Sequence, residues 1–280
     1  MTWRSAAKAF CLATAIPAMA GPPAAVSSSA SSSPSPDEAR LVRLINRERA
    51  EARLGLLAWD HALAGLARLH AADMRSMEKV THHSGADDAD FATRLARTEY
   101  RASHAAENVA LDMDLSRAHA ALMKSPGHRA NILNPSLTAV GVGIVRARDG
   151  AAYIVEDFAT PLARISDREA ADMVRDAVTR EHRAGNGPGK VSVLEEDRAL
   201  SRELLAAVRS MVEQDSVTPR KGWGFKAGWV FTYTSADPAK LPLDAARKVS
   251  GARTYAVAVT FSKSRSYPFG TWWVVVALKR

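Results

Sequence analysis

The sequence is short of cysteine and of aromatic residues. It has one cysteine among 280 residues, and Phe, Trp and Tyr together make up 6% of the chain. That cysteine, Cys11, lies in an N-terminal apolar run that we expect to be removed, so the mature chain should have no disulfide bonds. Its stability must then come from a core built mainly of small aliphatic side chains, since 47% of the residues are hydrophobic.

Long uniform stretches of apolar or charged residues are also missing. After the N-terminal run, no segment reaches the roughly 18 consecutive apolar residues of a transmembrane helix, so we expect no membrane span. Lys and Arg number 38 against 30 acidic residues, a net charge of +8, and no block of like charges concentrates the surplus. This distribution is typical of a solvated basic surface and argues against nucleic acid as a partner.

The first 20 residues have the pattern of a cleavable signal peptide. Arg4 and Lys8 precede an apolar run over residues 9–20, and Ala18-Met19-Ala20 fits the small-x-small cleavage pattern. Cleavage would make Gly21 the mature N-terminus. We therefore expect a secreted or periplasmic protein.

A Ser/Pro-rich linker is predicted over residues 21–36, and a first domain over 37–162. Apolar spacing and the capping residue Asp60 predict two helices at its start, and Ser116 is expected to cap a later one. The stretch 140–158 has the pattern of a hairpin. Helices first and a hairpin last indicate an α+β domain.

The second half, residues 165–280, repeats the order of the first. Leu41–Glu48 lines up with Val174–Glu181, and Asp60–Leu63 lines up with Asp197–Leu200. This echo predicts a domain duplication with a degenerate second copy; chance similarity between amphipathic helices is the alternative. Seven of the eight histidines lie in the first half, so imidazole chemistry is expected there.

Four short motifs occur in order within the first half. They are Ala106-Glu107-Asn108-Val109-Ala110, Met123–Pro135, Val140-Gly141-Val142-Gly143 and Tyr153–Phe158. Together they resemble the G-E-N-I-A element, the second-histidine segment, the V-G-V-G strand and the closing strand of the CAP superfamily (SCP/PR-1-like, cysteine-rich secretory/antigen 5/pathogenesis-related 1), bacterial type. The resemblance implies an α-β-α sandwich with a large open cleft, followed here by a second, degenerate CAP-like α+β domain.

The resemblance also implies a cleft with two histidines and acidic residues that can hold a divalent cation. Glu107 and His128 match the family's glutamate and second histidine, while the first histidine is either His82 (bacterial H-x-S spacing) or His83 (eukaryotic H-S pattern). Ser125 stands where eukaryotic members have a second acid. We therefore expect ligand binding by His82, His83, Glu107, Ser125 and His128, and a metal site formed by His82, Glu107 and His128.

Two chemistries are open to these residues. Two imidazoles and a carboxylate suit zinc or another divalent cation, with a fourth position for a water that becomes acidic enough to act as a nucleophile. In the other, Ser125 is the nucleophile, His128 the base and Glu107 the orienting acid. Ser125 could equally cap the segment that follows it.

The first functional hypothesis is a secreted binding protein with no defined catalytic reaction. Its partner would be a small hydrophobic ligand, a cell-envelope component or a protein. The alternative is a metal- or Ser/His-dependent hydrolase acting on a peptide or cell-envelope substrate, with Glu107, His128 and Ser125 as candidate catalytic residues. Elsewhere we expect His70 in the core and His119 on a helix surface. Of the adjacent strand residues Trp272 and Trp273, at most one should be buried.

Overall fold

The computed structural model describes residues 33–85, 87–186, 194–218 and 228–279. The predicted signal peptide at 1–20 and most of the predicted linker at 21–36 lie outside these residues. Within them, no helix is both long enough and apolar enough to cross a membrane.

The N-terminal half extends to Pro161 and mixes helices with short and long strands. In chain order its elements are α1 (Pro36–Glu51), β1 (Ala58–Trp59), α2 (His61–Ser76), α3 (Phe91–Ala96), β2 (Ala102–Asp112), α4 (Leu115–Lys124), α5 (Pro126–Ile132), β3 (Ala139–Arg146) and β4 (Ala152–Pro161). The expected α+β character is therefore present. The long strand β2, which contains the Glu107 motif, had not been predicted as a strand.

Side-chain caps fix where these helices begin. Asp60 accepts hydrogen bonds from the amides at the start of α2, as predicted. Helix α1 begins with a full capping box, in which Ser35 and Glu38 each bond to the other's backbone amide. The expectation that Ser116 caps α4 is wrong, because Asp114 occupies the cap and accepts from the Arg117 amide.

The four strands of this half form one sheet in the order β1-β3-β4-β2. β1 runs parallel to β3, and the other neighbours are antiparallel. The register places Glu107 of β2 opposite Asp157 of β4. Cross-strand partners point to the same face of a sheet, so two acidic side chains meet there.

Helices cover both faces of the sheet. One core joins α1, α4 and α5 to β3 and β4, and it includes Leu41, Leu122 and Phe158. On the other face α2 packs against the sheet so closely that a Cβ at Gly143 would lie 2.2 Å from the backbone of Ala67. Only glycine permits this approach, which brings α2 and the loop after it against the sheet.

The C-terminal half has its own sheet and helices. Its elements are α6 (Asp167–Asn186), β5 (Glu195–Glu196), α7 (Arg198–Gln214), β6 (Trp229–Ser235), α8 (Leu243–Val249), β7 (Thr254–Ser262) and β8 (Thr271–Lys279). The strand order is β5-β7-β8-β6, with β5 parallel to β7 and the other neighbours antiparallel. This is the same order and direction as in the first sheet.

Both faces of the second sheet are buried as well. Trp272 packs in the core with α6, whereas Trp273 packs in the core with α7. Their exposures are 1% and 0%. The expectation that at most one is buried is therefore wrong: the two residues do face opposite sides, but helices cover both sides.

Candidate functional site

Glu107 lies at the centre of a polar cluster on the α2 face of the first sheet. Strand β2 carries it, and its side chain is only 2% exposed. Its surroundings come from separate parts of the chain, including the loop after α2, helix α3 and strand β4. The polar side chains around it are His70, His82, Arg94 and Asp157.

His82 binds the Glu107 carboxylate directly. The distance from Nδ1 of His82 to Oε1 of Glu107 is 2.9 Å. Because an ionised carboxylate only accepts hydrogen bonds, Nδ1 must carry the proton, and in the neutral ring Nε2 is then the basic nitrogen. The His82 side chain is 47% exposed, so the ring connects a buried carboxylate to the surface.

Arg94 supplies the positive charge that the buried carboxylate requires. Its guanidinium donates to Oε2 of Glu107 and, through Nη1, to the backbone carbonyls of His82 (2.8 Å) and Ala89 (3.0 Å). One side chain thus neutralises Glu107 and holds the loop that carries His82. A buried carboxylate without such a partner would be strongly destabilising.

Asp157 is the second acid of the cluster and is fully buried. Burial, followed by the negative charge of Glu107, raises the pKa of Asp157 well above its ordinary value. No N–H or O–H group of the described residues donates to its carboxyl oxygens. Both observations favour the neutral form of Asp157, because a neutral acid carries a proton that it can donate to the Glu107 carboxylate.

His70 is a further member of the cluster, and it lies in the core, as expected. It is fully buried, and its Nε2 donates to the carbonyl of Thr81 at 2.8 Å. Burial lowers the pKa of His70, so the ring is neutral at pH 7. It lies 3.9 Å from Glu107 and helps to fix the loop that precedes His82.

His128 faces His82 from the start of α5. The ring centroids are 6.2 Å apart, with the ring planes inclined by 34°. Burial and then the nearby His82 lower the pKa of His128, which favours a neutral ring. Two imidazoles therefore form one surface, and only that of His82 is hydrogen-bonded to a carboxylate.

An amide network on the opposite face of the sheet positions α5. Asn108 donates to the carbonyl of His128 (3.2 Å) and to Glu156 (3.1 Å), while Asn131 donates to Asn108 and to the carbonyl of Glu107. Burial raises the pKa of Glu156 to about 7. These contacts tie α5 to β2 and so set the position of His128 relative to Glu107.

The other predicted site residues lie differently. His83 bonds through Nδ1 to the carbonyl of Asp88 at 2.9 Å, whereas His82 is the histidine that meets the Glu107 carboxylate. Ser125 is the residue before α5, but its side chain makes no capping hydrogen bond. Glu107 orients His82 and not His128, which differs from the predicted Ser125–His128–Glu107 arrangement.

The predicted metal set does not form a ready coordination site. Among the described residues, no group of three His, Cys, Asp or Glu side chains is placed to hold one metal ion. The geometry explains this, because Nδ1 of His82 and the guanidinium of Arg94 already occupy the Glu107 carboxylate. The arrangement instead resembles a carboxylate-oriented imidazole, whose Nε2 can accept a hydrogen bond or a proton.

Sequence reasoning missed two members of the cluster and misplaced another histidine. Arg94 and Asp157 had not been singled out, although two adjacent acids, Glu156 and Asp157, in an apolar strand were a usable signal. His119 is buried, contrary to expectation, with Nε2 3.8 Å from a Glu48 oxygen. Its position on the inner face of α4 explains the burial.

Comparisons with known proteins concern mainly the N-terminal half. Residues 42–158 match the model of the CAP family, the cysteine-rich secretory protein family. The uncharacterized protein YkwD of Bacillus subtilis (strain 168) is 36% identical over 121 residues, which are 42% of this chain and 46% of that protein. The chain thus spans less than half the length of this curated relative.

Solved structures give weaker likenesses. An extracellular protein containing an SCP domain from Bacillus anthracis str. Ames is 30% identical and covers 44% of this chain and 40% of its own, with a TM-score of 0.41. Na-ASP-1 is 10% identical and covers 89% of this chain and 90% of its own, with a TM-score of 0.44.

Proposed function

We propose that the N-terminal half is the ligand-binding module of an exported protein, because residues 42–158 match the model of the CAP (cysteine-rich secretory protein) family. One observation carries the proposal: the half-exposed His82 ring is held by a buried carboxylate at 2.9 Å. A histidine on the protein surface is solvated with or without a carboxylate partner, so solubility does not explain this hydrogen bond. A fixed, basic Nε2 beside a second imidazole is suited to ligand recognition.

The chemistry of the site favours a polar ligand over a hydrophobic one. Arg94 and Glu107 neutralise each other, and burial favours the neutral form of Asp157, which adds no charge. The exposed groups are then the His82 and His128 rings, which offer hydrogen-bond acceptors beside flat apolar surfaces. A cell-envelope component with hydroxyl and amide donors matches these groups best. A small hydrophobic ligand is the outcome that would contradict this choice.

Binding of soluble muropeptides, released enzymatically from peptidoglycan, tests the proposal. We expect the imidazole resonances of His82 and His128 to shift on titration in an NMR experiment, and His82→Ala to weaken binding about tenfold, as for loss of one strong polar contact. His61→Ala is the matched control, because His61 is an exposed histidine at the start of α2. Equal affinity in wild type and His82→Ala would reject the assignment.

Zinc is the probe for the predicted cation. The family resemblance motivates the test, yet Nδ1 of His82 and the guanidinium of Arg94 occupy the two oxygens of Glu107, so metal binding by His82, Glu107 and His128 would require one of these contacts to break. We therefore expect titration calorimetry to detect no zinc binding that depends on both His82 and His128. If the wild type binds zinc tightly and both the His82→Ala and the His128→Ala variant lose that binding, the metal assignment is restored.

A hydrolase is the second candidate, and the His82–Glu107 hydrogen bond is the observation that favours it. A carboxylate-oriented imidazole can remove a proton from water or a hydroxyl. The test is mass spectrometry of muropeptides incubated with the protein. Turnover lost in His82→Ala and kept in Ser125→Ala would support His82 as the base; no turnover would reject hydrolysis of this substrate.

We propose further that residues 165–280 are a degenerate CAP-like domain. The identical strand order of the two sheets supports this, as do the corresponding helix caps Asp60 and Asp197. The second copy has lost the polar cluster: β6, the counterpart of β2, carries Thr, Tyr and Ser but no acid. Cluster chemistry is therefore assigned to the first half alone.

A further inference from the structure

A groove of about 960 Å³ opens in the C-terminal half between helices α6 and α7. Its walls are one face of each helix, and its floor is strand β7 from Val257 to Thr260. It lies on the half that lacks the histidine cluster, so it is independent of the site described above.

Arginines line both walls of the groove. On α6 they are Arg168 and Arg175, and on α7 they are Arg198, Arg202 and Arg209, at spacings that place each set on one helix face. The three acids of the groove are already engaged: Glu196 and Asp172 bind Arg175, and Asp167 accepts from Thr260 and the Phe261 amide. Within the described chain, Arg168, Arg202 and Arg209 form no ion pair.

The floor of the groove is an open sheet edge. Strand β5 pairs only with Thr254 and Tyr255, so β7 has no neighbour on that side beyond Tyr255 among the described strands. The amides of Val257 and Phe261 point away from β8, since they donate to Ser201 and Asp167. Backbone direction alternates along a strand, and the Val259 amide and carbonyl therefore point into the groove as well.

In the first half, an ion pair joins the two helices that correspond to α6 and α7. There Glu38 of α1 and Arg68 of α2 bridge the two helices at 2.7 Å. The buried positions of α1 recur in α6 133 residues later, and the caps Asp60 and Asp197 align α2 with α7 at an offset of 137. Glu38 and Arg68 correspond to Ala171 and Leu205, which both line the groove.

From these observations we propose that the groove binds an extended acidic polypeptide segment of a partner protein, which adds to β7 as an extra strand. The five arginines supply charge complementarity, and three of them are available for acidic side chains. The donor and acceptor of Val259 require a ligand that offers both groups, which a peptide backbone does and a polyphosphate does not. An exposed edge strand is a template for such pairing.

The test uses fluorescence anisotropy with a short labelled peptide of alternating Glu and Val, and the full chain as receptor. We expect binding that weakens with salt and falls about tenfold in the Arg168→Ala/Arg202→Ala variant. Arg180→Ala, on α6 outside the groove, should bind like wild type. The Ala171→Glu/Leu205→Arg variant rebuilds the bridge of the first half and should lose binding while keeping all five arginines.

Backbone pairing is tested with two further peptides, one N-methylated at the Glu amides and one at the Val amides. Strand addition predicts that only one of them loses affinity, because alternate amides face β7. Loss of affinity for both N-methylated peptides, or for neither, would overturn the proposed strand addition. Inorganic polyphosphate that binds as tightly as the peptide would overturn the assignment to a polypeptide. Circular dichroism of each variant checks that it is folded.

Discussion

Replacement of Arg94 by methionine tests the electrostatics of the polar cluster. Methionine retains much of the side-chain volume but removes the donors to Glu107 and to the carbonyls of His82 and Ala89. Both charged side chains are nearly inaccessible, with exposures of 8% for Arg94 and 2% for Glu107. Breaking a buried pair in this way costs about 3–5 kcal/mol.

That cost is a large fraction of the total stability, since a domain is stable by only about 5–15 kcal/mol. Urea denaturation followed by circular dichroism measures it. The double variant Arg94→Met/Glu107→Gln should recover most of the loss, because it removes the uncompensated charge. The exposed pair Arg117–Asp112 provides the control, and Arg117→Met should leave stability nearly unchanged. If Arg94→Met costs no more than Arg117→Met, the described role of Arg94 is wrong.

Three further predictions concern other parts of the chain. The pKa of Glu156 is raised from its ordinary value of 4.5 to about 7 in the folded protein. Between these two pH values the folded protein keeps a proton that the unfolded chain releases, so the free energy of unfolding falls as the pH rises. Glu156→Gln should therefore be more stable than wild type at pH 8, by up to about 3 kcal/mol, and lose that advantage below about pH 4.5, as urea titrations at both pH values would reveal. Gly143→Ala should lower the free energy of unfolding by at least about 1–3 kcal/mol, because the new Cβ would overlap the α2 backbone. Gly55→Ala is the control: its Cβ would meet open space, so the thermal midpoint should change little. Export should yield a mature protein beginning at Gly21, and N-terminal sequencing that finds Met1 intact in the exported fraction would contradict the predicted cleavage.

Local signals in the sequence predicted much of the first half. The cap at Asp60 and the hairpin over 140–158 are short-range features, and the structure contains both. Strand β2 was missed because its polar residues, among them Glu107 and Asn108, face a buried network. A strand with charged and amide side chains on both faces lacks the alternation that marks a strand.

Burial of the two tryptophans shows a second limit of local reasoning. Alternation correctly placed Trp272 and Trp273 on opposite faces of a strand. Whether each face meets solvent depends on α6 and α7, which are distant in sequence. His119 was misplaced for the same reason, since the helix face that carries it packs on α1.

By itself, the sequence determined the Asp60 cap of α2, the family motifs and the histidines and glutamate from which a site could be built. The tertiary structure decided that His82, and not its neighbour His83, meets Glu107, and that Arg94 and the buried Asp157 lie beside that carboxylate. It also decided that the C-terminal half has an open arginine groove where the first half has an ion pair. The physical reason is that both outcomes depend on strand register and helix packing between distant segments, which no short stretch of sequence encodes.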